Sequence, residues 1–274
     1  MNITERNFFR LLRAGALGLQ EPIEPLSAWK WRRLYQLAVM HGVEDLVRRG
    51  ISCCQDQFFV QVPEKLLAEW DEAIKGTKEV ETDEGEMNPL LEADHLTNPL
   101  LNRRLQAILD EEETTMETRQ LLLMMTGVAR FIMNAGIPVK RLAELAIFLK
   151  HQGKKVDYMK IGDWTDQLKL RPMTQLTGAL LIKLMHLEPD DVPFMTAESE
   201  AVTEKRMREI LKLKNSHPEE WYFSQGKNIF VHTSNPSAML WHCRRSARYF
   251  HYYPAETMTN FFASFAHSLS HIEE

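Results

Sequence analysis

The chain is expected to be all-α, a compact multi-helix bundle built around a central helical hairpin. Three observations lead there. Twelve Gly and 12 Pro are few for 274 residues, while Leu, Met, Glu, Lys and Arg, all good helix formers, are plentiful. Leu121, Leu122, Met125, Val128, Ala129 and Ile132 recur at three- and four-residue spacing, as do Leu142, Leu145, Ala146 and Leu149, so both stretches read as helices with one buried face. Between them, Asn134-Ala-Gly-Ile-Pro138 joins a glycine able to end one helix in the left-handed conformation to a proline whose fixed φ suits the first turn of the next. Thr114 with Glu117 three residues on supplies a capping-box start.

The remaining elements follow in order. Thr4 to Leu17 reads as a helix with Phe8, Leu11 and Leu12 on one side and Gly15 and Gly18 near its end. After the turn Glu21-Pro-Ile-Glu-Pro-Leu26, Ser27 caps a helix that His41-Gly42 breaks, and Val43 to Gly50 is a short helix. Phe58 to Val62 is the place for a very short strand, and reads more simply as an extended link into a helix opened by Pro63. Thr77 to Asn88 has too few apolar groups to offset the entropy of ordering and is expected to be a mobile acidic loop. Leu100 to Ile108 starts the helix that leads to the hairpin. Beyond it come a helix capped by Asp157, one after Pro172, a loop at Glu188 to Phe194, a helix near Glu198 to Leu213, an irregular stretch, and two helices opened by Pro236 and Pro254. In the last, Met258, Phe261, Phe262, Phe265 and Leu269 are expected to share the apolar face, with Thr257, Asn260 and Ser264 on the solvated polar one.

Composition bounds function. The net charge is -5, and the acid is local: Thr77 to Glu117 holds 12 acids against Lys78, Arg103 and Arg104. That pattern gives no reason to expect a nucleic-acid partner. No apolar run approaches the ~18–20 residues of a membrane span, and the N-terminal residues lack the features of a signal peptide, so a cytoplasmic location is expected. Cys53, Cys54 and Cys243 form neither a disulfide framework nor a Cys-x-x-Cys pair, and read as free thiols.

Candidate chemistry is sparse. His267 and His271 stand at i,i+4, a spacing that can hold a metal, but no third ligand accompanies them and a solvated polar face is the better account. Asp190-Asp191, and Asp163 with Asp166, are carboxylate pairs of the kind that can bind Mg²⁺, and capping or solvated surface accounts for both. Arg244, Arg245 and Arg248 make the clearest basic patch, interleaved with aromatic residues, with Cys243, Ala247 and Phe250 turned inward. They are the candidate anion- or partner-binding residues, because Arg grips an oxyanion with two parallel hydrogen bonds. The sequence points to no catalytic residue, no metal ligand set and no phosphate-binding loop.

Read in order, several segments resemble a Bacteroidetes-type bacterial family of nucleotidyltransferase-like proteins, itself largely uncharacterised. They are Phe8-Phe-Arg-Leu-Leu-Arg-Ala-Gly15, Trp31 with Leu34-Tyr-Gln-Leu-Ala38 and Val43, Asn98 to Leu109, Phe131 with Gly136, Arg141 to Leu149, Leu187 to Phe194, and Tyr252-Tyr-Pro-Ala-Glu256. The resemblance implies a nucleotidyltransferase core between the helix ending near Asp110 and the one beginning at Thr114, with a Gly-Asp-x-Asp signature holding Mg²⁺. Here Asp110-Glu-Glu-Glu-Thr-Thr-Met116 fills that gap, and consecutive acids on a helix turn by about 100° each, so they cannot replace two aligned carboxylates. A second registration places Gln175 and Thr177 where the aspartates belong. Glu144-Leu145 stands where relatives often show Asp-Trp.

The expectation is therefore a non-catalytic binding or scaffold module in which the helical flanks, residues 1–113 and 114–274, pack as one unit. It needs no cofactor, and an unknown protein partner is possible. The alternative is a nucleotidyltransferase with a divergent Mg²⁺ site formed by Asp163, Asp166 or the acids at 110–113. The sequence identifies neither a ligand nor an oligomeric state.

Overall fold

The computed structural model describes residues 1–81, 94–134, 139–195, 249–259 and 261–262. Among these residues the fold is helical and contains no strand, as expected for an all-α protein. The elements are α1 (Ile3–Leu17), α2 (Ala28–Met40), α3 (Glu44–Cys53), α4 (Glu64–Glu81), α5 (Pro99–Leu109), α6 (Met116–Asn134), α7 (Val139–Gln152), α8 (Tyr158–Gln167) and α9 (Arg171–Met185). Residues 254–259 are helical again, beginning at Pro254. No helix among the described residues is long and apolar enough to cross a membrane.

The chain divides into two units, each discontinuous in sequence. The first gathers the described residues of Met1–Gly85, Pro138–Lys155 and Thr177–Leu211, the second those of Glu86–Ile137, Val156–Leu176 and Lys212–Glu274. The division expected near residue 113 falls inside the second unit. Both helices of the expected hairpin are present, with Leu122, Val128, Leu145 and Leu149 buried, but α6 belongs to the second unit and α7 to the first.

In the first unit, α1 is delimited at both ends by its own sequence. Asn2 accepts from the Glu5 N–H and Glu5 from the Asn2 N–H, closing a capping box at 3.0 and 2.8 Å. Gly18 ends the helix at φ 70° with its N–H on the Ala14 carbonyl. Phe8, Leu11 and Leu12 are fully buried, and α3 is the most extensive packing partner of α1. The two backbones approach through glycine. A Cβ on Gly15 would stand 1.8 Å from the Leu46 carbonyl oxygen, and one on Gly50 would stand 1.9 Å from the Leu11 carbonyl oxygen. Gly50 therefore sits inside α3, which runs on to Cys53, rather than ending it as the sequence suggested; close packing outweighs its low helix propensity. Trp70 ties α4 to α3 by donating to the Glu44 carbonyl at 3.0 Å while wholly buried.

Three further expectations are corrected. Residues 77–81 prolong α4 instead of joining an acidic loop, because each residue added to an existing helix gains a hydrogen bond without a new nucleation cost; residues 82–93 lie outside the described set. α6 starts at Met116, so its cap is Thr115, whose hydroxyl accepts from the Thr118 N–H, and the Thr114 hydroxyl instead accepts from Lys160 Nζ. Phe58–Val62 forms turns and extended backbone, not a strand.

In the second unit α5 is capped by Asn98 and α8 by Asp157, each side chain accepting from two backbone N–H groups. The helix after Pro254 reverses the expected facing. Met258, Phe262 and, ahead of the helix, Phe250 are exposed, whereas Glu256 and Thr257 are buried. Hydrogen bonding is the reason. The Glu256 carboxylate accepts from the backbone N–H groups of Thr97 and Asn98 at 2.5 and 2.8 Å, and the Thr257 hydroxyl donates to the Tyr253 carbonyl. Buried Arg130 donates to the His95 carbonyl. Tyr253, buried beside this cluster, has its phenol pKa raised, first by burial and then by the Glu256 charge.

Two stability measurements follow. Gly50→Ala is expected to cost about 3 kcal/mol in chemical denaturation, the upper end of the usual overpacking range, because the atom it meets is backbone. Glu256→Ala strands two backbone donors in a buried site and is expected to cost about 3–5 kcal/mol, against well under half of that for exposed Glu72→Ala.

Candidate functional site

The described residues gather charge at one place, in the first unit. α1 carries Arg6, Arg10 and Arg13 at i, i+4 and i+7, hence on one face, and Leu11 and Gly15 lie on the opposite face that meets α3. A cleft of about 220 Å³ is lined by this arginine face with Phe9, by Glu21, and by Lys183, Leu184 and His186 at the end of α9.

The loop after α1 is fixed before it supplies its carboxylates. Asn7 donates to the Glu24 carbonyl at 2.7 Å and accepts from the Glu24 N–H at 3.1 Å. Gln57 accepts from the Ile23 N–H and donates to the Glu21 carbonyl, at 2.8 and 3.0 Å. Each glutamate then holds one arginine by two parallel bonds. Arg13 places Nε and Nη2 on Glu21 at 2.5 and 2.8 Å, and its Nη1 donates to the Leu184 carbonyl at 2.8 Å. Arg6 places Nε and Nη2 on Glu24 at 2.8 and 2.7 Å. Arg10 is different: Nη1 is shared between Asn7 Oδ1 and Glu24, at 3.2 and 2.7 Å, and Nε stands 3.9 Å from Glu21.

The cluster is electrostatically lopsided. Arg6, Arg10 and Arg13 face Glu21 and Glu24, one more positive charge on this helix face than the two glutamates supply. Glu5 is further out, its carboxylate taken by the helix cap. Hydrogen bonding from Arg6 and then Arg10 brings the Glu24 carboxyl down to about 2. Burial pushes Glu21 up, but hydrogen bonding to Arg13 and the charges of Arg13, His186 and Arg10 bring it below the usual range. His186, with Nδ1 3.6 Å from Glu21, has a lowered pKa, first from burial and then from Arg13.

His186 also has a φ of 54°. A β-carbon in the left-handed region costs about 1–2 kcal/mol, which glycine would avoid. Strain of this kind collects where a side chain has a task.

The residues singled out from sequence fall differently. Arg244, Arg245 and Arg248, with Cys243, His267 and His271, lie outside the described residues. Asp166 is paired with Arg171, and Asp163 is exposed on α8. Asp110 caps the end of α5, and Glu111, Glu112 and Glu113 are exposed in the turn that follows. Asp191 pairs with Lys150 at 2.6 Å and accepts from the Glu188 N–H. Gln175 and Thr177 are buried on the helix α9, not aligned on a strand. These acids do not fit a Mg²⁺ site, and the described residues contain no group of three or more His, Cys, Asp or Glu able to hold a metal ion. Cys53 is exposed and Cys54 buried, both as free thiols.

Sequence reasoning missed the cleft, although one signal for it was legible: three arginines at helical spacing opposite the apolar stripe of α1. Comparison of the chain with protein families, with curated proteins and with solved structures finds no match. The class that the fold and site define is an all-α protein with a basic, partly neutralised cleft.

The carboxylates set an acid limit. Because Glu24 and Glu21 titrate below their unfolded values, the stability they contribute is present above about pH 4.5 and lost as pH falls through the folded values, which for Glu24 is about 2. Urea midpoints measured from pH 5 to 2.5 are expected to fall, and Glu24→Gln to flatten that slope.

Proposed function

We propose that this chain is a non-catalytic binding or scaffold module of the nucleotidyltransferase-like kind, working in the cytoplasm, built from helical flanks without a catalytic sheet between them. One observation supports the reading above others: the cations converge on a cleft while the candidate metal-binding carboxylates are scattered or engaged. Asp166 is held by Arg171, Asp191 by Lys150, and the acids at 110–113 line a turn. Nucleotidyl transfer needs carboxylates that place Mg²⁺ on the phosphates. Basic side chains alone can bind an anion but supply no such metal. The family itself rests on the order of short segments from Phe8 to Glu256.

The competing reading is an enzyme using Asp163, Asp166 or the acids at 110–113, and a turnover assay separates the two. The full chain incubated with ATP, Mg²⁺ and candidate acceptors is expected to consume no nucleotide. Nucleotide consumption that disappears in Asp166→Asn or Asp163→Asn would defeat the non-catalytic reading. Thermal melting with ATP and Mg²⁺ measures binding separately, since a ligand at a hundredfold excess over Kd stabilises the native state by about 2.7 kcal/mol.

A further inference from the structure

We infer that the outward face of the helix after Pro254 is a dimerisation seam, which pairs with the same face of a second copy of this chain. The inference goes beyond the reading of the chain as a binding module and does not rest on it.

The rotation of this helix is fixed from its inner side. Glu256 accepts from the Thr97 and Asn98 N–H groups, and the Asn98 side chain donates to the Thr259 hydroxyl at 2.9 Å. Thr257 donates to the Tyr253 carbonyl, and Tyr253, Glu256 and Thr257 are all buried. Successive residues of a helix turn by about 100°, so Met258 and Phe262 point away from Glu256. They are 47% and 57% exposed. An amphipathic helix ordinarily buries its apolar face. Here hydrogen bonds hold the polar side inward, and the apolar side is left for another body.

The sequence continues this pattern. Met258, Phe262, Phe265, Leu269 and Ile272 follow one another at steps of four, three, four and three residues, the spacing of a seam between two packed helices. Phe265, Leu269 and Ile272 lie outside the described residues. Ser264, His267 and His271 continue the spacing of the inward Thr257.

The flanks of the stripe identify its occupant. Helices that lie on a membrane surface carry Lys and Arg beside their apolar face, whereas residues 254–274 contain neither. A different partner helix is selected by charges beside the seam. The positions that flank it here, Thr259, Phe261, Ala266 and Ser268, are uncharged, so identical copies meet without repulsion. An antiparallel, two-fold pairing about Phe265 also keeps Glu273 and Glu274 of the two copies apart.

Area is sufficient. A phenylalanine buries roughly 150–250 Å². Even at the 57% still exposed on Phe262, two such rings with Met258, Leu269 and Ile272 on each of two copies come to on the order of 1,000 Å², the threshold of a specific interface.

Sedimentation velocity of the full chain from about 1 to 100 μM, a range in which mass action resolves a reversible dimer, tests this. A species of twice the 31.9 kDa of one chain is expected, with a melting temperature that rises with protein concentration. Phe262→Glu puts a charge on the seam without touching the hydrogen bonds of Glu256. It is expected to weaken the dimer about a hundredfold with far-UV circular dichroism unchanged, since an apolar anchor is worth about tenfold or more and a two-fold pair holds it twice. Ile272→Glu is expected to act likewise, and decides the matter if Phe262→Glu loses its fold. Met116→Glu, at an 80% exposed methionine of α6, is expected to leave the dimer unchanged. A chain that sediments as a monomer throughout overturns the inference, whatever else covers the stripe. So does a dimer that tolerates both seam variants, or one that Met116→Glu weakens equally, because pairing then lies elsewhere. None of these results bears on nucleotide turnover, so failure here and failure of the non-catalytic reading remain distinct.

Discussion

The first unit depends on a backbone-to-backbone contact. Gly15 and Gly50 let α1 and α3 meet where a β-carbon on either would stand within 2 Å of a carbonyl oxygen of the other helix. Such an approach fixes the rotation of α1 about its own axis, since no neighbouring position in the helix lacks a side chain. With Leu11 and Gly15 committed to α3, Arg6, Arg10 and Arg13 must face the other way. The cleft is thus a consequence of packing on the far side of the same helix.

Charge is managed there by partial neutralisation. Arg13 is almost wholly buried, and a buried guanidinium without partners is prohibitively costly. Glu21 and the Leu184 carbonyl meet that requirement. Glu21 binds Arg13 by two parallel bonds and also stands 3.9 Å from Arg10, and Glu24 is shared by Arg6 and Arg10. The middle arginine hydrogen-bonds through Nη1 only, so the same two carboxylates hold the three guanidinium groups unequally.

The second unit solves a different problem with buried polarity. Glu256 caps the backbone at Thr97 and Asn98, and Arg130 holds the neighbouring His95 carbonyl. Segments about 160 residues apart are thereby fastened by charge-assisted bonds. An apolar contact would satisfy none of those backbone groups, which is why a glutamate occupies the inner face of a helix whose Met258 and Phe262 point outward.

Much of the helical framework was legible in the residues alone. The caps at Ser27 and Asp157, the break at His41-Gly42 and the apolar spacing of α6 and α7 are short-range features, decided within a few residues of chain. The arginine spacing on α1 was equally visible. What the sequence could not contain was the partner of each group. Gly50 reads locally as a helix terminator, and only the passage of α1 makes it an interior contact. Thr257 reads as part of a solvated face until the sulfur of Met133 is brought to it, and nothing local to Glu256 names the N–H groups of Thr97 and Asn98 that it accepts from. Glu21, Glu24, Lys183 and His186 have no local pattern that names Arg6, Arg10 and Arg13. Those pairings join positions up to 171 residues apart, as in Arg13 to Leu184, and such separations are set by tertiary packing, on which propensity and periodicity are silent.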